Sequence, residues 1–225
     1  MTIEFYSSIP LGILSVSGED APIFLQGQTT CDVNGLDDTR GICGAFCNVK
    51  GRVITTFYLI KTESDFLLIL PNVLLRSVQE RLSRYKLRAK VNISESHLDI
   101  NTFDLPKNLP WLTNETSEEF IPQWLNLDKL GGISFTKGCY TGQEIVARTH
   151  YLGEVKRRLF LATYKNTLEA ISSNSLIIDE NEATVGHVLQ AHEGVMQCVL
   201  NLDSQNKALR LVNSFQDILV IKEIL

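Results

Sequence analysis

The sequence predicts an α+β fold, with a ferredoxin-like N-terminal domain followed by a small C-terminal β-barrel. The first hundred residues alternate strand and helix patterns in the order β-α-β-β-β-α-β, which suits a two-layer sandwich with one extra hairpin strand. After residue 150 the chain gives short strand patterns at regular spacing, separated by polar turns, as is typical of a barrel. We therefore predict domains at 1–150 and 151–225.

The N-terminal elements each have a local signal. Residues 11–18 read as a strand and are followed by a short helix, and the β-rich runs at 41–49 and 52–61 are joined by Lys50-Gly51, a hairpin signal. After Pro71, apolar residues recur at helical spacing, which predicts a helix that begins at this proline. These residues are Leu74, Leu75, Val78, Leu82 and Tyr85. The predicted strands "DFLLIL" and "AKVNI" precede and follow this helix. From 95 to 126 the period fades among prolines, which predicts a long crossover on the protein surface.

Composition and charge narrow the class of protein. The 225 residues are 44% hydrophobic and 21% charged with a net charge of −5, which is ordinary for a soluble globular protein and argues against a globally basic nucleic-acid binder. The most apolar window, Phe66–Leu75, is too short to span a bilayer, so we expect no membrane partner. Five cysteines at wide spacing predict a reducing, cytoplasmic compartment rather than a disulfide framework.

The stretch "FTKGCYTGQEIVAR", residues 135–148, concentrates the chemistry. Thr141 and Glu144 have the spacing of a capping box, with Thr141 as N-cap, which places Cys139 just outside the positive end of a helix. Lys137 stands two residues before the cysteine, and a nearby cation and a helix N-terminus both favour the thiolate. Gly138 and Gly142 leave room for a ligand to approach. An exposed reactive thiolate and a structural thiol both remain open for Cys139.

The other candidate groups favour structural roles. Cys31, Cys43, Cys47 and Cys198 lie in apolar or mixed strand contexts, which predicts buried structural thiols. No C-x-x-C or H-E-x-x-H spacing occurs, so no metal site is predicted. No phosphate-binding glycine pattern occurs either, so no nucleotide-phosphate site is predicted. His150 would lie about 16 Å along the helix from Cys139, too far for a dyad. The basic stretches Arg81–Lys90 and Lys156–Arg158 suit a solvated surface or a patch that contacts RNA or a small anion.

"LGGISFTKGCYTGQEIVAR" resembles the signature of the YgfZ family of folate-binding, tRNA-modifying proteins, within the glycine-cleavage aminomethyltransferase superfamily. "VSGEDAPIFLQGQTTCDV" and "FCNVKGRV" are similar to the N-terminal part of that family, so the resemblance spans nearly the whole chain. It implies an aminomethyltransferase-type domain and binding of tetrahydrofolate or a derivative. It also implies a role in iron–sulfur cluster assembly or repair for client enzymes, including those that thiomethylate tRNA.

The resemblance also assigns site residues. It implies that Cys139 and Lys137 act in the chemistry and that the remaining motif residues shape the site or bind its ligand: Gly138, Tyr140, Thr141, Gly142, Gln143, Glu144 and Arg148. Cysteine stands where the aminomethyltransferases have an aspartate, which argues against glycine cleavage itself. Two features depart from the family. The region between 95 and 126 is shorter, and Leu11 stands where well-known members have a folate-lining tryptophan.

Two functions are therefore expected. The first is a folate-binding accessory protein for iron–sulfur enzymes that modify tRNA, working through a reactive cysteine. The second is a non-catalytic module that has lost folate binding and docks client enzymes or RNA through its basic stretches. An active folate-dependent one-carbon transferase is the weakest alternative, because Asp32 and Glu144 are the available carboxylates and neither is a convincing base.

Overall fold

The computed structural model describes residues 7–36, 40–164, 170–212 and 217–223. Within these ranges it contains an open five-stranded sheet and a closed six-stranded barrel. The predicted α+β class and the C-terminal barrel are confirmed by this arrangement. The ferredoxin-like description of the first unit and the domain boundary at 150 stay predictions.

The open sheet is antiparallel throughout, with strand order β2-β3-β4-β1-β5. Its strands are β1 (Leu11–Ser17), β2 (Ile42–Cys47), β3 (Val53–Lys61), β4 (Asp65–Pro71) and β5 (Asn92–Ser96). The predicted hairpin between β2 and β3 is present, and β5 begins three residues later than the start of "AKVNI".

Two helices accompany the sheet, α1 (Ala21–Gln26) and α2 (Asn72–Tyr85). Helix α2 begins directly after Pro71, as predicted, and buries one face because its apolar residues recur every three to four positions. This face consists of Leu74, Leu75, Val78 and Leu82. The helix comes so close to β1 that a Cβ at Gly12 would lie 2.6 Å from the Leu75 Cδ1 atom.

The barrel has strand order β10-β11-β6-β9-β8-β7, and pairing of β10 with β7 closes it. Its strands are β6 (Arg157–Tyr164), β7 (Leu176–Asp179), β8 (Thr184–His192), β9 (Val195–Asn201), β10 (Leu209–Leu211) and β11 (Asp217–Glu223). The predicted last strand extended to residue 225, and its final two residues lie outside the described ranges.

Strand β6 is apolar on both faces. Phe160 and Ala162 face the barrel interior, whereas Leu159 and Leu161 belong to the core that also contains α2 and the open sheet. Successive side chains of a strand point to opposite faces, so one strand contributes to two cores. The barrel is therefore packed onto the sheet by the outer face of its own strand.

The prediction that the 95–126 region crosses the surface is wrong for its second half. Leu109, Trp111, Leu112 and Phe120 are at most 4% exposed and belong to the core beneath the open sheet. Backbone bonds pair this segment with β3, since the Val53 N–H donates to the Phe120 carbonyl at 2.8 Å. Isolated apolar residues among prolines and 3-10 turns have no period, so the burial is invisible in the sequence pattern.

The burial of Trp111 predicts a large effect of truncation. We expect Trp111→Ala to lower the free energy of unfolding by about 3–5 kcal/mol, since it removes a core aromatic side chain. Urea unfolding would measure this change. Leu98→Ala is the matched control, because Leu98 is 54% exposed in the same region and its loss should cost less than about 0.5 kcal/mol. Equal, small effects of the two variants would contradict the placement of this segment.

Candidate functional site

The motif loop, residues 135–142, leads into α3 (Gln143–Tyr151). The predicted capping box is wrong: Gly142 is the N-cap, no side chain caps the helix, and Glu144 is its second residue. Instead, the Gln143 Oε1 atom accepts a bond from the Tyr140 N–H at 3.3 Å. Gly142 has a φ of +84°, which favours glycine over threonine as the residue that starts this helix.

The reason for this start is a tertiary contact that the local sequence does not show. A Cβ at Gly142 would lie 2.4 Å from the Asn48 carbonyl oxygen and 3.0 Å from the Gly51 Cα atom. Gly51 also has a positive φ, of +68°, and a Cβ there would lie 2.8 Å from that of Ile145. The KG hairpin, residues 48–52, and the start of α3 are therefore in backbone contact through two glycines.

Lys137 ties the motif loop to a third segment. Its Nζ atom donates to the carbonyls of Thr29, at 2.8 Å, and Cys31, at 2.6 Å. The ammonium also lies 5.2 Å from the centre of the Tyr140 ring. Burial lowers the pKa of Lys137 to about 8, against the opposing attraction of Cys31 and Asp32. Sequence proximity predicted that the Lys137 ammonium would lie beside the Cys139 thiol. In the structure, this ammonium donates to the backbone carbonyls of Thr29 and Cys31.

The five cysteines separate into two groups. Cys139 is exposed, whereas Cys31, Cys43, Cys47 and Cys198 are buried, as predicted. Burial raises the pKa of Cys31 to about 11 and the pKa values of the other three buried thiols to about 12. These four stay protonated at neutral pH and are shielded from solvent, so the motif thiol is the one available for chemistry.

The remaining motif residues fall into buried and exposed sets. Tyr140 is 7% exposed, and burial raises the pKa of its phenol. Thr141 and Gln143 are half-buried, while Gly138, Glu144 and Arg148 are exposed. His150 stacks on Phe135 with ring centres 3.7 Å apart, so its ring packs against the start of the motif loop. Among the described residues, no three His, Cys, Asp or Glu side chains are grouped as metal ligands.

The two basic stretches are only partly available to a partner. Arg81 donates to the Cys47 carbonyl at 2.9 Å, and Arg158 pairs with Asp128 at 2.6 Å in a largely buried position. Lys90 forms an exposed pair with Glu19. Arg88 and Lys156 are exposed, and no ion pair involves either one within the described ranges.

Sequence reasoning missed Trp124. Arg157 and Arg52 place their Cζ atoms 4.9 Å and 5.2 Å from the centre of its ring. Arg157 starts β6, and Arg52 belongs to the KG hairpin, so residues more than a hundred positions apart meet on one indole. The sequence signal was weak, because an isolated tryptophan after a proline suits many structures.

In the described ranges, no helix has the length and apolar character needed to cross a bilayer.

The fold belongs to a known class. The structure is similar to aminomethyltransferase T of the glycine cleavage system from Bartonella henselae, with a TM-score of 0.72 over 94% of this chain and 82% of that one. The sequence identity is 11%, so this similarity shows the fold alone. The molecule is thus a protein of aminomethyltransferase fold with an exposed cysteine in a loop that two distant segments fix, the KG hairpin and residues 29–31.

Sequence relatives define the family, although no family model matches the chain. A tRNA-modifying protein YgfZ from Colwellia psychrerythraea is 29% identical over 90% of this chain and 86% of the relative. An uncharacterized protein from Haemophilus influenzae is 30% identical over 94% of each, and the YgfZ of Photobacterium profundum is 27% identical over 88% and 80%. This chain belongs to the YgfZ family. The Colwellia alignment spans 281 positions against the 225 residues here, so the relative carries residues that this chain lacks.

The contact between the two glycines predicts unequal effects of two alanine substitutions in the motif loop. We expect Gly142→Ala to lower the free energy of unfolding by at least about 1–2 kcal/mol, because a left-handed backbone conformation costs an L-residue that much and the added Cβ would also overlap the Asn48 carbonyl oxygen. Gly138→Ala is the matched control, since a Cβ at Gly138 meets nothing within 4 Å. Chemical denaturation of both variants measures the difference. Equal stability of the two variants would refute the backbone contact as the constraint on this loop.

Proposed function

We propose that this protein supports tRNA modification by assisting iron–sulfur enzymes through the thiol of Cys139. The names of the sequence relatives, tRNA-modifying protein YgfZ, support the tRNA part of the proposal. The observation that carries the thiol part is the exposure of Cys139 in a loop held by backbone contacts, while the other four thiols are buried. We place this work in the cytoplasm, where thiols are kept reduced.

The arrangement suits a thiol that meets a partner protein. Cys139 is exposed and precedes the N-cap of the nine-residue helix α3 by three positions. A cluster usually takes four cysteine ligands, so a single thiol contacts one only together with a client enzyme. We assign Lys137 the role of holding the loop on residues 29–31, and Glu144 and Arg148 the role of facing the client from the exposed side of α3.

The other motif residues shape the loop in this proposal. Gly138 leaves the side of the thiol open, and Gly142 allows the backbone contact with the KG hairpin. Tyr140, Thr141 and Gln143 close the turn between the thiol and α3, and Gln143 bonds back to the Tyr140 N–H. We further propose that residues 1–150 form the thiol-bearing domain and 151–225 the barrel domain.

Tetrahydrofolate is the ligand that the resemblance implies, and the described residues do not fit it at position 11, where well-known members have a folate-lining tryptophan. Leu11 has no aromatic ring and packs, partly buried, against the core. A planar ring bound in a pocket needs apolar or aromatic walls that face the cavity. No step of the proposed function therefore depends on folate.

The thiol hypothesis predicts a specific loss on substitution of Cys139. In cells that lack the native protein, we expect Cys139→Ser to leave methylthiolated nucleosides in tRNA at the level of the deletion, because the hydroxyl is neither a comparable nucleophile nor a soft metal ligand. Mass spectrometry of digested tRNA measures these nucleosides. Cys198→Ala, in the barrel interior, is the matched control and should retain the modification. A normal level of methylthiolated nucleosides in tRNA with Cys139→Ser would contradict the thiol hypothesis.

The second candidate is a docking module without folate binding, and Leu11 at the position of the folate-lining tryptophan favours it over the folate-binding form. It predicts no saturable heat when the purified protein is titrated with tetrahydrofolate under anaerobic, reducing conditions. Saturable heat would show that a folate pocket exists and would favour the folate-binding accessory protein. The docking module also predicts that Cys139→Ala remains active while charge reversal at Arg88 or Lys156 abolishes function, which is the opposite of the thiol hypothesis.

A further inference from the structure

A groove lies beside Trp124, where the loop after α3 meets the end of β9. Its volume is about 570 Å³, within the range of roughly 300–1,000 Å³ that small-molecule sites occupy. The Trp124 groove is lined by Trp124, Glu154, Val155, Lys156, Arg157, Asn201, Leu202 and Asp203. None of these residues belongs to the motif loop, so the groove is a second surface in addition to the thiol site.

The wall of this groove is an aromatic ring flanked by planar cations. The guanidinium groups of Arg157 and Arg52 lie over the Trp124 indole, at 4.9 Å and 5.2 Å. Arg157 is held in place by a bond from its Nε atom to the Asn201 Oδ1 atom, at 2.8 Å. Arg52 is fixed by a bond to the Glu119 carbonyl, at 2.6 Å. A nucleobase joins such a stack readily, because its π face packs on aromatic rings and on guanidinium planes alike.

The charges of the groove complement a ligand with both an anionic group and N–H donors. Lys156 and Arg157 in the groove, and Arg52 in a neighbouring groove, form no salt bridge with any residue in the described ranges, so their charges are available to an anion. Glu154 and Asp203 line the same groove and can accept hydrogen bonds. A nucleotide presents its phosphate to the cations and the amino or imino groups of its base to the carboxylates.

We propose that the Trp124 groove binds an unpaired nucleotide of single-stranded RNA, with the base stacked at Trp124 and Arg157 and the phosphate near Lys156. Double-stranded RNA does not fit, because its bases are stacked inside the helix and cannot enter a groove. This inference deepens the proposed function and rests on it for the identity of the polymer, since the groove chemistry alone suits any nucleotide.

The groove is also connected to the thiol site. Arg52 takes part in the stack and lines a neighbouring groove formed with Asn48, Val49, Lys50, Glu118 and Glu119. That second groove includes the KG hairpin, which is in backbone contact with Gly142 at the end of the motif loop. The two grooves thus adjoin at Arg52, and the second one reaches the hairpin that contacts the end of the motif loop.

The two tryptophans allow a site-specific test. Trp111→Phe leaves Trp124 as the single fluorescent indole, and Trp124→Phe leaves the buried Trp111. We expect a 12-nucleotide uridine oligomer to quench the first variant saturably and to leave the second unchanged. Trp124→Leu should weaken binding of the same oligomer, followed by fluorescence anisotropy of a labelled copy, about 5- to 150-fold through loss of one stacked base.

Surface charge variants keep the test independent of folding. Lys156 is exposed, and Lys156→Gln should reduce the slope of log K against log salt by about 0.7, the value for one phosphate contact on a single strand. Arg76→Gln, on the exposed face of α2 and outside both basic stretches, is the matched control and should leave both affinity and slope unchanged. Equal effects of the two variants would overturn the proposal, and so would duplex RNA or uridine monophosphate binding as tightly as the oligomer.

Failure of this inference is distinguishable from failure of the proposed function. RNA binding at the groove does not need the thiol, so Cys139→Ser should bind the oligomer like the unsubstituted protein. If that variant retains full tRNA modification, the thiol hypothesis fails while the groove remains. If modification depends on Cys139 but the Trp111→Phe variant shows no quenching, the groove is not an RNA site.

Discussion

The apolar character of β6 on both faces is the constraint on which the rest of the structure depends. Leu159 and Leu161 pack against the core of the open sheet while Phe160 and Ala162 fill the barrel. Burying both faces of one strand removes more apolar surface from water than two separate units would, and it fixes the position of the barrel. Asn126 reinforces this contact, because its side chain bonds to the Leu159 carbonyl at 2.9 Å and its oxygen accepts from the Leu159 N–H.

This junction determines where the functional groups lie. Helix α3 precedes β6 directly, and Gln123 of the buried segment donates to the Val146 carbonyl of that helix at 2.7 Å. The helix is thus held between the segment before it and the KG hairpin, with Gly142 against Gly51. A loop positioned by backbone contacts at its end and by Lys137 in its middle presents Cys139 in a defined place without covering it. Such a site suits a thiol that has to meet a large partner.

Elements with strong local signals were predictable from the sequence. The 3.6-residue period of α2, the KG hairpin and the burial of four cysteines each follow from patterns within a few residues, and the structure confirms them. The predicted start of α3 was wrong. Thr141 and Glu144 match a capping box locally, but the contact of Gly142 with residue 48 determines where the helix begins. Contacts between segments far apart in sequence leave no local period.

The same limit applies to the contacts of Lys137 and to the burial of Trp111. Proximity in sequence suggested that the ammonium serves the thiol two residues away, yet the carbonyls of Thr29 and Cys31 bind it. The segment "QGQTTCD", residues 26–32, contains both carbonyls, so the family resemblance includes this segment but does not show the contact. Trp111 lies among prolines with no pattern, and only the space beneath the open sheet explains its burial.

The alternation along β6 also relates structure to the proposed recognition of RNA. Arg157 has the same parity as Leu159 and Leu161, the pair that packs toward the core shared with the segment containing Trp124, and Arg157 meets this indole. Its neighbour Arg158 instead makes two bonds to Asp128, at 2.6 Å and 2.9 Å, in a largely buried pair that secures the junction. Both arginines reach the segment that contains Trp124, because Arg158 also donates to the Gln123 carbonyl at 2.8 Å. A basic run read from sequence alone does not distinguish them, whereas their contacts assign Arg158 to the junction and Arg157 to the Trp124 groove.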